Sequence, residues 1–410
     1  MGKTLVEKIL EAHAGEEVEP GKIVWIGIDV RSARDFGGAN VVKNMKKYYP
    51  GQRVDDSRRT FFTFDCNVPA NTIPYANNQQ ICRNFAQEQD IKVYDVSAGI
   101  GSHVIIEEGL SFPGSTVVGT DSHLNIMGAA GAFGQGMGDQ DIAFVFKTGK
   151  TWFEVPSSIV VNITGELPEN CTAKDLTLAV IKKLGTKSAL GKAIEFRGPA
   201  IDKLTLAQRI TLASMATEMG AIIGLIVPNE EVLKHFHQTD SLLPDPDAEY
   251  EDTICIDISN LKPQIARPPS PDNVVDVAEV AGTPIHSVFI GSCTNGTYED
   301  LAKVSELVKG RKLKEGIFGT VVPATMKGYK RLLEEGHIRT LIDAGFIVSN
   351  PGCGGCASGQ IGMTGEGQVQ VSTSNRNFAG KQGAGDTYLA SPDTAAASAI
   401  LGRIVTKEEL

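Results

Sequence analysis

The chain has 410 residues, of which 41% are hydrophobic, and its formal net charge is −10 at neutral pH. One hydrophobic core rarely extends beyond about 250–300 residues, so this length predicts two or three domains. The acidic balance, with no basic stripe, disfavours nucleic acid as a partner, and no apolar run is long enough to cross a bilayer. The 7 cysteines disfavour a disulfide framework and favour a reducing cytoplasm, and the lack of a long apolar run predicts no membrane contact.

The first part of the chain, residues 1–156, alternates predicted helices with predicted strands. The predicted helices are Thr4–Ala14, Asn40–Tyr48 and Tyr75–Gln89, and the predicted strands are Ile23–Ile28, Thr60–Phe64, Lys92–Val96 and Val117–Val118. This order is typical of an α/β domain with a largely parallel sheet. Polar clusters follow several of the strands, and the carboxyl ends of strands are where open α/β sheets bind ligands.

Two further units are predicted, at residues 157–278 and 279–410. The middle unit has predicted strands Ile159–Ile163, Ala193–Phe196 and Ile222–Val227 and predicted helices Ala173–Leu184, Leu206–Met219 and Glu230–His237. It ends in Lys262–Asn273, which contains 4 prolines and is predicted to be a linker. The last unit has predicted strands Ser287–Ile290, Ile317–Val322 and Phe346–Val348 and predicted helices Tyr298–Val308 and Ala324–Glu335.

Three cysteines lie in glycine-rich turns directly after strands of the last unit. Cys293 follows the first strand, and Cys353 and Cys356 form a C-x-x-C pair after the third. A C-x-x-C pair is compatible with a redox couple or with half of a zinc site, but zinc usually requires a second such pair or a histidine pair. Three thiolates without a fourth ligand suit an iron–sulfur cluster with one open iron, although clusters normally use four cysteines.

Other candidate residues also follow predicted strands. His103, Asp121 and His123 could transfer protons, although a single histidine is more often structural. Glu195 is a candidate partner for one of these histidines, and Cys66 is either a small core residue or a reactive thiol.

Two further segments have competing interpretations. Asn375, Arg376 and Lys381 could hold a carboxylate substrate, or they could form a solvated turn. The glycine-rich run Gly128–Gly138 lacks the dinucleotide-binding fingerprint, so it predicts close helix packing instead.

Five motifs together resemble the aconitase superfamily, and in particular the large subunits of 3-isopropylmalate dehydratases and homoaconitases. The resemblance extends over nearly the whole chain. The motifs are VGTDSH (Val118–His123), GAAGAFGQGMGDQDIA (Gly128–Ala143), IGSCTNG (Ile290–Gly296), PGCGGC (Pro351–Cys356) and STSNRNFAGK (Ser372–Lys381).

The resemblance implies three α/β/α domains around a [4Fe–4S] cluster held by Cys293, Cys353 and Cys356, with one open iron. It implies a hydro-lyase that dehydrates and rehydrates a substituted malate. By match of position it implies the catalytic residues Asp65, His103, Asp121, His123 and Glu195. The implied substrate-binding residues are Arg34, Asp35, Ser122, Asn375, Arg376 and Lys381. The family's catalytic serine lies in a swivelling domain that this sequence lacks, so a separate small subunit is expected.

Three departures from the family pattern lie at positions expected to face the substrate. Asp65-Cys66 stands where the family has Asp-His, Arg34-Asp35 stands in place of Gln-Asp or His-Glu/Asp, and Lys381 replaces an arginine. These changes favour either a 3-isopropylmalate dehydratase-like enzyme or a related hydro-lyase with another anionic hydroxy acid, such as homoaconitate, citramalate or dimethylmalate. A third hypothesis makes Cys66 a fourth cluster ligand in a non-catalytic binding or sensing module.

Overall fold

The computed structural model of the chain describes residues 2–356 and 360–410. Its first part contains a five-stranded sheet in the order β4-β3-β2-β5-β6, in which all neighbours are parallel. The elements are α1 (Leu5–Ala14), β1 (Ile23–Gly27), β2 (Val30–Arg34), α2 (Gly38–Tyr48), β3 (Thr60–Thr63), α3 (Ile73–Gln89), β4 (Lys92–Tyr94), α4 (Gly101–Glu107), β5 (Thr116–Gly119), β6 (Phe133–Gly136), α5 (Asp139–Thr148) and β7 (Lys150–Glu154).

The predicted strand Ile23–Ile28 does not belong to this sheet. It forms β1, which pairs antiparallel with β7 in a separate two-stranded ribbon, and the central strand β2 was not predicted. The burial of β1 alternates, with Val24 and Ile26 buried and Trp25 exposed, as expected of a strand with one face in solvent. The ribbon leads directly into β2, where the backbone N–H of Asp29 donates to the carbonyl of Thr116 at 3.1 Å.

The middle part forms a four-stranded sheet in the order β10-β9-β8-β11, again parallel throughout. Its elements are β8 (Ser158–Thr164), α6 (Ala173–Leu184), β9 (Ala193–Arg197), α7 (Pro199–Asp202), α8 (Leu206–Ser214), β10 (Ile223–Ile226), α9 (Glu230–His235) and β11 (Asp252–Asp257). The long helix predicted for residues 206–219 ends at Ser214, and a short 3₁₀ helix, Thr217–Met219, follows it.

The last part forms a seven-stranded sheet in the order β13-β12-β18-β17-β14-β15-β16. It contains β12 (Gln264–Ala266), β13 (Val274–Asp276), β14 (Ser287–Ile290), α10 (Ser292–Asn295), α11 (Tyr298–Val308), β15 (Phe318–Val321), α12 (Met326–Glu334), α13 (His337–Ala344), β16 (Ile347–Val348), β17 (Val369–Ser372), β18 (Asp386–Ala390) and α14 (Pro392–Leu401). The helix Tyr298–Val308 and the strand Ser287–Ile290 have their predicted bounds.

The linker prediction for Lys262–Asn273 is wrong. Residues 264–266 form β12, which pairs antiparallel with both β13 and β18. Prolines concentrate at 268–271, in the turn between β12 and β13, so their effect is local to that turn. The expected α/β class with largely parallel sheets is confirmed, and the three-domain division at 156/157 and 278/279 stays a prediction.

The glycine-rich run packs closely, as predicted, but against a strand of another sheet. A Cβ atom on Gly128 would lie 1.9 Å from the carbonyl oxygen of Gly224 in β10, so only glycine fits there. This contact joins the 3₁₀ helix Leu124–Ala130, which directly follows Asp121 and His123, to the middle sheet. Within the described residues, no helix is long and apolar enough to cross a lipid bilayer.

Candidate active site

A cavity of about 410 Å³ brings together ten of the predicted site residues. The carboxyl ends of the first sheet and the loops that follow them contribute Arg34, Cys66, Asp121, Ser122 and His123. The last part of the chain contributes Cys293, Cys353, Cys356, Arg376 and Lys381. Sulfur, imidazole, carboxylate and cationic groups therefore share one wall, although they are far apart in the sequence.

Cys293 is held at the first turn after β14. Its Sγ lies 3.2 Å from Asn375 Oδ1, and its carbonyl accepts from His103 Nε2 at 2.9 Å. Burial raises the pKa of the Cys293 thiol well above its usual value, and burial lowers the pKa of His103 to about 4. His103 is therefore a neutral donor that fixes the cysteine loop rather than a free acid–base group.

Cys353 and Cys356 follow β16 and complete the set of three thiols. The backbone N–H of Cys353 donates to the carbonyl of Asp65 at 2.9 Å, which ties the C-x-x-C loop to the loop after β3. Burial raises the pKa of Cys356, and the cations Lys381 and Arg376 oppose that shift. Because thiols must lose their protons to bind metal, nearby cations favour the ligating form.

The three cysteines fit a cluster better than they fit a single ion. Ligands of one ion must converge on it, whereas the thiolates of a cluster bind different irons and need not touch. Within the described residues, one group of side chains is close enough together to bind a single metal ion. It consists of Asp65, Cys66 and Cys353, whose ligand atoms lie within 4.8 Å of one another. Arg34 already donates to two of these groups, so its positive charge disfavours a metal ion between them.

Arg34 is the centre of a buried ionic network. Its Nε donates to Asp65 Oδ1 at 2.7 Å, its Nη1 to Asp121 Oδ1 at 2.8 Å and its Nη2 to Cys353 Sγ at 2.6 Å. Burial would raise the pKa of Asp121, but Arg34 and His123 lower it, so this carboxylate is ionised. Burial raises the pKa of Asp65 to about 6 despite Arg34. Arg34 was expected to bind substrate, but its guanidinium is already committed on all three nitrogens.

A second network joins His123, Glu218 and Arg376. Glu218 Oε1 accepts from Arg376 Nε at 2.6 Å and lies 3.1 Å from His123 Nε2. Burial would raise the pKa of Glu218, but His123 and Arg376 lower it, so the carboxylate is ionised and orients both partners. The other oxygen, Oε2, is buried and has no hydrogen-bond partner within the described residues. Two cavity residues, an imidazole and a cation, are thus oriented by one buried carboxylate.

Glu195, the predicted partner of a histidine, lies elsewhere. Its Oε1 accepts from the backbone N–H of Leu5 at 2.6 Å, and its Oε2 accepts from Arg197 at 2.6 Å and from the hydroxyl of Tyr250 at 2.8 Å. It therefore anchors the N-terminus of α1 and does not line the cavity. Glu218 is the carboxylate that contacts His123, so the assignment of Glu195 to the active site is wrong.

Asp35, Asp65 and Asn375 lie behind the cavity wall rather than on it. Asp35 is fully buried and accepts from the backbone N–H groups of Asp65, Cys66 and Asn67 at 3.0–3.2 Å. Its carboxylate therefore shapes the loop after β3 and is not exposed to a substrate. Asp65 is also fully buried, and it accepts from the backbone N–H of Gly101 at 2.7 Å as well as from Arg34.

Lys174, at the start of α6, is a fully buried cation that the sequence analysis missed. Its Nζ donates to the carbonyls of Thr373 and Ser374 at 3.0 and 2.9 Å and lies 3.3 Å from Met215 Sδ. It forms no ion pair within the described part of the chain. Burial lowers its pKa to about 8, and Glu218 and Cys293 oppose that shift. The ammonium therefore lies against the loop that follows β17, without a carboxylate partner among the described residues.

Two more polar residues of the cavity wall were not predicted. Tyr75, near the start of α3, and Thr120, which accepts from the backbone N–H of Arg34 at 2.9 Å, both face it. Glu218 was overlooked because residues 206–219 were predicted to be one regular helix. A single acidic residue within the largely apolar run 210–219 was the available signal, because a buried charge requires a partner.

Comparisons with known proteins cover nearly all of the chain. A family model described as "Aconitase family (aconitate hydratase)" matches residues 7–402. The chain is 44% identical over 412 residues to "3-isopropylmalate dehydratase large subunit 1" of Methanopyrus kandleri, covering 98% of each chain. It is 41% identical over 413 residues to the "Homoaconitase large subunit" of Thermus thermophilus, covering 100% of this chain and 98% of the relative.

A solved structure shares the fold. The crystal structure of Thermococcus kodakaraensis aconitase X in its holo-form matches with a TM-score of 0.50 and 13% sequence identity, covering 91% of this chain and 90% of that one. At this level of identity the match is evidence of fold alone.

Proposed function

The chain belongs to the aconitase family, and we propose that it is the large subunit of a hydro-lyase that acts on a substituted malate, as 3-isopropylmalate dehydratases do. The observation that carries this proposal is the meeting of three kinds of group in one cavity. Three cysteines can hold a cluster, His123, which Glu218 orients, can move a proton, and Arg376 and Lys381 can hold carboxylates.

Cys293, Cys353 and Cys356 would hold a [4Fe–4S] cluster. The fit rests on three thiols that line one wall, on the cations near Cys356, and on the buried Lys174, which lacks an anionic partner of its own within the described residues. When bound, such a cluster with one open iron supplies a Lewis acid that weakens the substrate's C–O bond.

The protein's own residues bind and orient the substrate. Arg376 is held by Glu218 through Nε, which leaves the two terminal nitrogens of its guanidinium for a substrate carboxylate. Lys381 lines the same cavity and offers a point charge to a second carboxylate. A dicarboxylate is therefore fixed at two ends, which places its hydroxyl-bearing carbon near the thiols.

His123 and Asp121 are the proposed proton-transfer groups. Glu218 orients the His123 imidazole, and the ionised Asp121 accepts from the backbone N–H of His123 at 2.9 Å. Cys66 does not replace the imidazole that the family pattern has at its position. Its thiol donates to Asp65 Oδ1 at 3.5 Å. The neighbouring Cys353 and burial both raise the pKa of this thiol well above the usual range, so it is a much weaker acid than an imidazolium.

A separate small subunit would complete the site. The relatives carry the name "large subunit", and this cavity is open at a rim where Phe36 is 68% exposed. An exposed phenylalanine beside a polar cavity fits a surface that a partner covers. The resemblance assigns the catalytic serine to that partner.

The alternative substrate is a tricarboxylate of the homoaconitate type. Relatives named as homoaconitase large subunits are 40–41% identical to this chain, close to the values for 3-isopropylmalate dehydratases. Lys381 favours this alternative in one respect, because it forms no ion pair within the described residues and could take an additional carboxylate. The two candidate substrates therefore differ in the side chain that the cavity must accept, which is isopropyl in one and a carboxylate-bearing chain in the other.

The test is a substrate panel on anaerobically reconstituted protein mixed with its small subunit. The panel contains 3-isopropylmalate, homocitrate, citrate, citramalate and dimethylmalate, and the absorbance of the conjugated alkene acid is followed. Turnover of 3-isopropylmalate with the highest kcat/KM is the expected result. Preference for homocitrate would establish the alternative, and no turnover with an intact cluster and bound small subunit would contradict the proposal.

A further inference from the structure

The ribbon formed by β1 and β7 exposes the two tryptophans of the chain side by side. Trp25 in β1 is paired directly opposite Trp152 in β7, and these are the 2 tryptophans of the sequence. They are 49% and 52% exposed, and Ile23 on the same face is 60% exposed. The Trp25 ring packs partly on Phe144 of α5, with ring centres 5.9 Å apart, and the remaining surface of this apolar face is exposed.

The other face of the ribbon is already occupied. Val24 and Ile26 are fully buried in the core of the first part of the chain, and Phe153 packs against the same core. Residues directly opposite in an antiparallel pair point to the same side. The outward set is consequently Ile23 with Glu154, Trp25 with Trp152, and Gly27 with Lys150.

This outward face is complementary to itself. Consider a second copy of the ribbon laid face to face on the first and related to it by a two-fold axis. The axis lies between the two faces, perpendicular to the strands, and passes over the tryptophan pair. Each strand then lies over the same strand of the other copy and runs in the opposite direction. Glu154 of one copy then lies over Lys150 of the other, because the two residues are equally distant from Trp152 along β7. By the same operation Ile23 lies over Gly27, so a large side chain meets a residue that has none.

The charges of this face are free to make that contact. Lys150 and Glu154 are both exposed, and neither forms a salt bridge with another described residue. Lys150 Nζ lies 5.8 Å from the ring centre of Trp25, so the cation borders the apolar patch. Aromatic residues bordered by complementary charges are typical of protein interfaces.

The ribbon lies at the opposite end of the first sheet from the active site. β1 leads into the amino end of β2, whereas Arg34 on the cavity wall is at the carboxyl end of that strand. A small subunit that covers the cavity would therefore not cover the tryptophans. We propose that the face formed by Ile23, Trp25, Lys150, Trp152 and Glu154 docks on the same face of a second copy of this chain, giving a two-fold symmetric dimer of large subunits.

Intrinsic fluorescence gives a direct readout because both tryptophans are in the proposed interface. The full chain is measured over a wide range of concentrations, alone and with the small subunit, together with its mass by sedimentation. We expect a dimer of modest affinity, since the patch is smaller than a standard interface. The tryptophan emission should shift to shorter wavelength as the dimer forms.

Charge reversal tests the geometry and leaves the tryptophans in place. The variants K150E and E154K each bring like charges together at both ends of the interface, so each should weaken the dimer about tenfold or more. The double variant K150E/E154K should dimerise like the original chain. A mixture of the two single variants should form a mixed dimer, because every facing pair in it is again opposite in charge.

Three outcomes would overturn the proposal. One is a chain that stays monomeric, with unshifted emission, at the highest concentration. Another is a dimer whose affinity is unaffected by K150E and E154K. The third is an emission shift that follows addition of the small subunit instead of the concentration of the large one. Catalytic turnover of the charge variants should match the original chain and verifies that they are folded.

Discussion

Arg34 and Lys174 both interact electrostatically with the cluster cysteines, and they differ in how their charge is balanced. Arg34 contacts two carboxylates and the sulfur of Cys353. Lys174 contacts only two carbonyl oxygens and a thioether. Burial lowers the pKa of Lys174 to about 8, whereas for Arg34 the carboxylates of Asp121 and Asp65 overcome burial and raise the pKa well above its usual value.

The difference shows which buried charges are balanced by opposite charges of the protein and which are not. The Arg34 network balances its charges within the chain, so it holds the loops after β2, β3 and β5 together whether or not a cofactor is present. Lys174 forms no ion pair among the described residues and its charge is opposed only by the more distant Glu218 and Cys293, and three cysteine thiolates with a cluster would add the missing negative charge. Arg34 is therefore expected to act on folding, and Lys174 on the cofactor.

Removal of the Arg34 charge should have the largest effect on stability. R34M leaves Asp65 and Asp121 buried beside each other without a cation, which is expected to lower the free energy of unfolding by about 3–5 kcal/mol. Urea unfolding of the cluster-free chain measures this loss. The double variant R34M/D65N removes one unpaired carboxylate and should recover part of it; equal loss in both variants would show that the two carboxylates are not coupled through Arg34.

The Lys174 charge should give a pH-dependent effect that Arg34 lacks. The pKa of about 8 in the folded chain is below the ordinary value of 10.5, so the unfolded chain binds more protons between these pH values. The destabilisation by the buried charge is complete below pH 8 and disappears as pH rises to 10.5. The stability of the cluster-free chain relative to K174M should therefore rise across this window, by at most about 3 kcal/mol.

The reconstituted protein provides the control for this prediction. A nearby anionic cluster would raise the pKa of Lys174 back toward its ordinary value, so the difference between the chain and K174M should become less dependent on pH. K174M should also retain less iron on dilution with chelator. Identical iron retention in the two proteins would contradict the role assigned to Lys174.

Arg376 is intermediate between the two, since it pairs with Glu218 and also lines the cavity. R376K keeps the charge but loses the fork that can hold Glu218 and a substrate carboxylate at once. We expect kcat/KM to fall about 10- to 100-fold, mostly through KM. R403K is the matched control, because Arg403 forms an exposed pair with Glu409 and should leave kcat/KM unchanged.

C66S should have the smallest effect on the cofactor. The Cys66 thiol donates to Asp65 Oδ1 at 3.5 Å and lies in the group of Asp65, Cys66 and Cys353, where the Arg34 cation disfavours a metal ion, so we do not expect it to be a cluster ligand. The absorption and EPR spectra of reconstituted C66S should match those of the original chain. A changed spectrum or loss of iron would instead assign a fourth ligand to Cys66 and support a non-catalytic module.

The sequence predicted those features that depend on local pattern. Strand Ser287–Ile290 and helix Tyr298–Val308 had the right bounds, and ten of the residues predicted in loops after strands line one cavity. β2 was missed because its residues, Val30–Arg34, include three polar side chains and have no simple periodicity. Such a segment becomes a strand because it pairs with β3 and β5, and the sequence of the segment itself carries no information about these partners.

The roles of buried charges were the least predictable part of the site. Glu195 and Glu218 are both buried acidic residues of the middle part, yet one anchors α1 and the other contacts His123. Arg34 was predicted to bind substrate, but it forms ion pairs with Asp65 and Asp121 instead. These two aspartates follow other strands of the first sheet. Such pairings depend on how elements distant in the sequence pack together.

The most direct test of the central claim is the iron content and EPR spectrum of the anaerobically reconstituted chain, before and after mild oxidation and with 3-isopropylmalate added. We expect a [4Fe–4S] cluster that loses one iron on oxidation, and a spectrum that shifts when the hydroxy acid binds. A tightly bound zinc in place of iron, or a cluster that keeps all its iron and does not respond to any hydroxy acid, would contradict it.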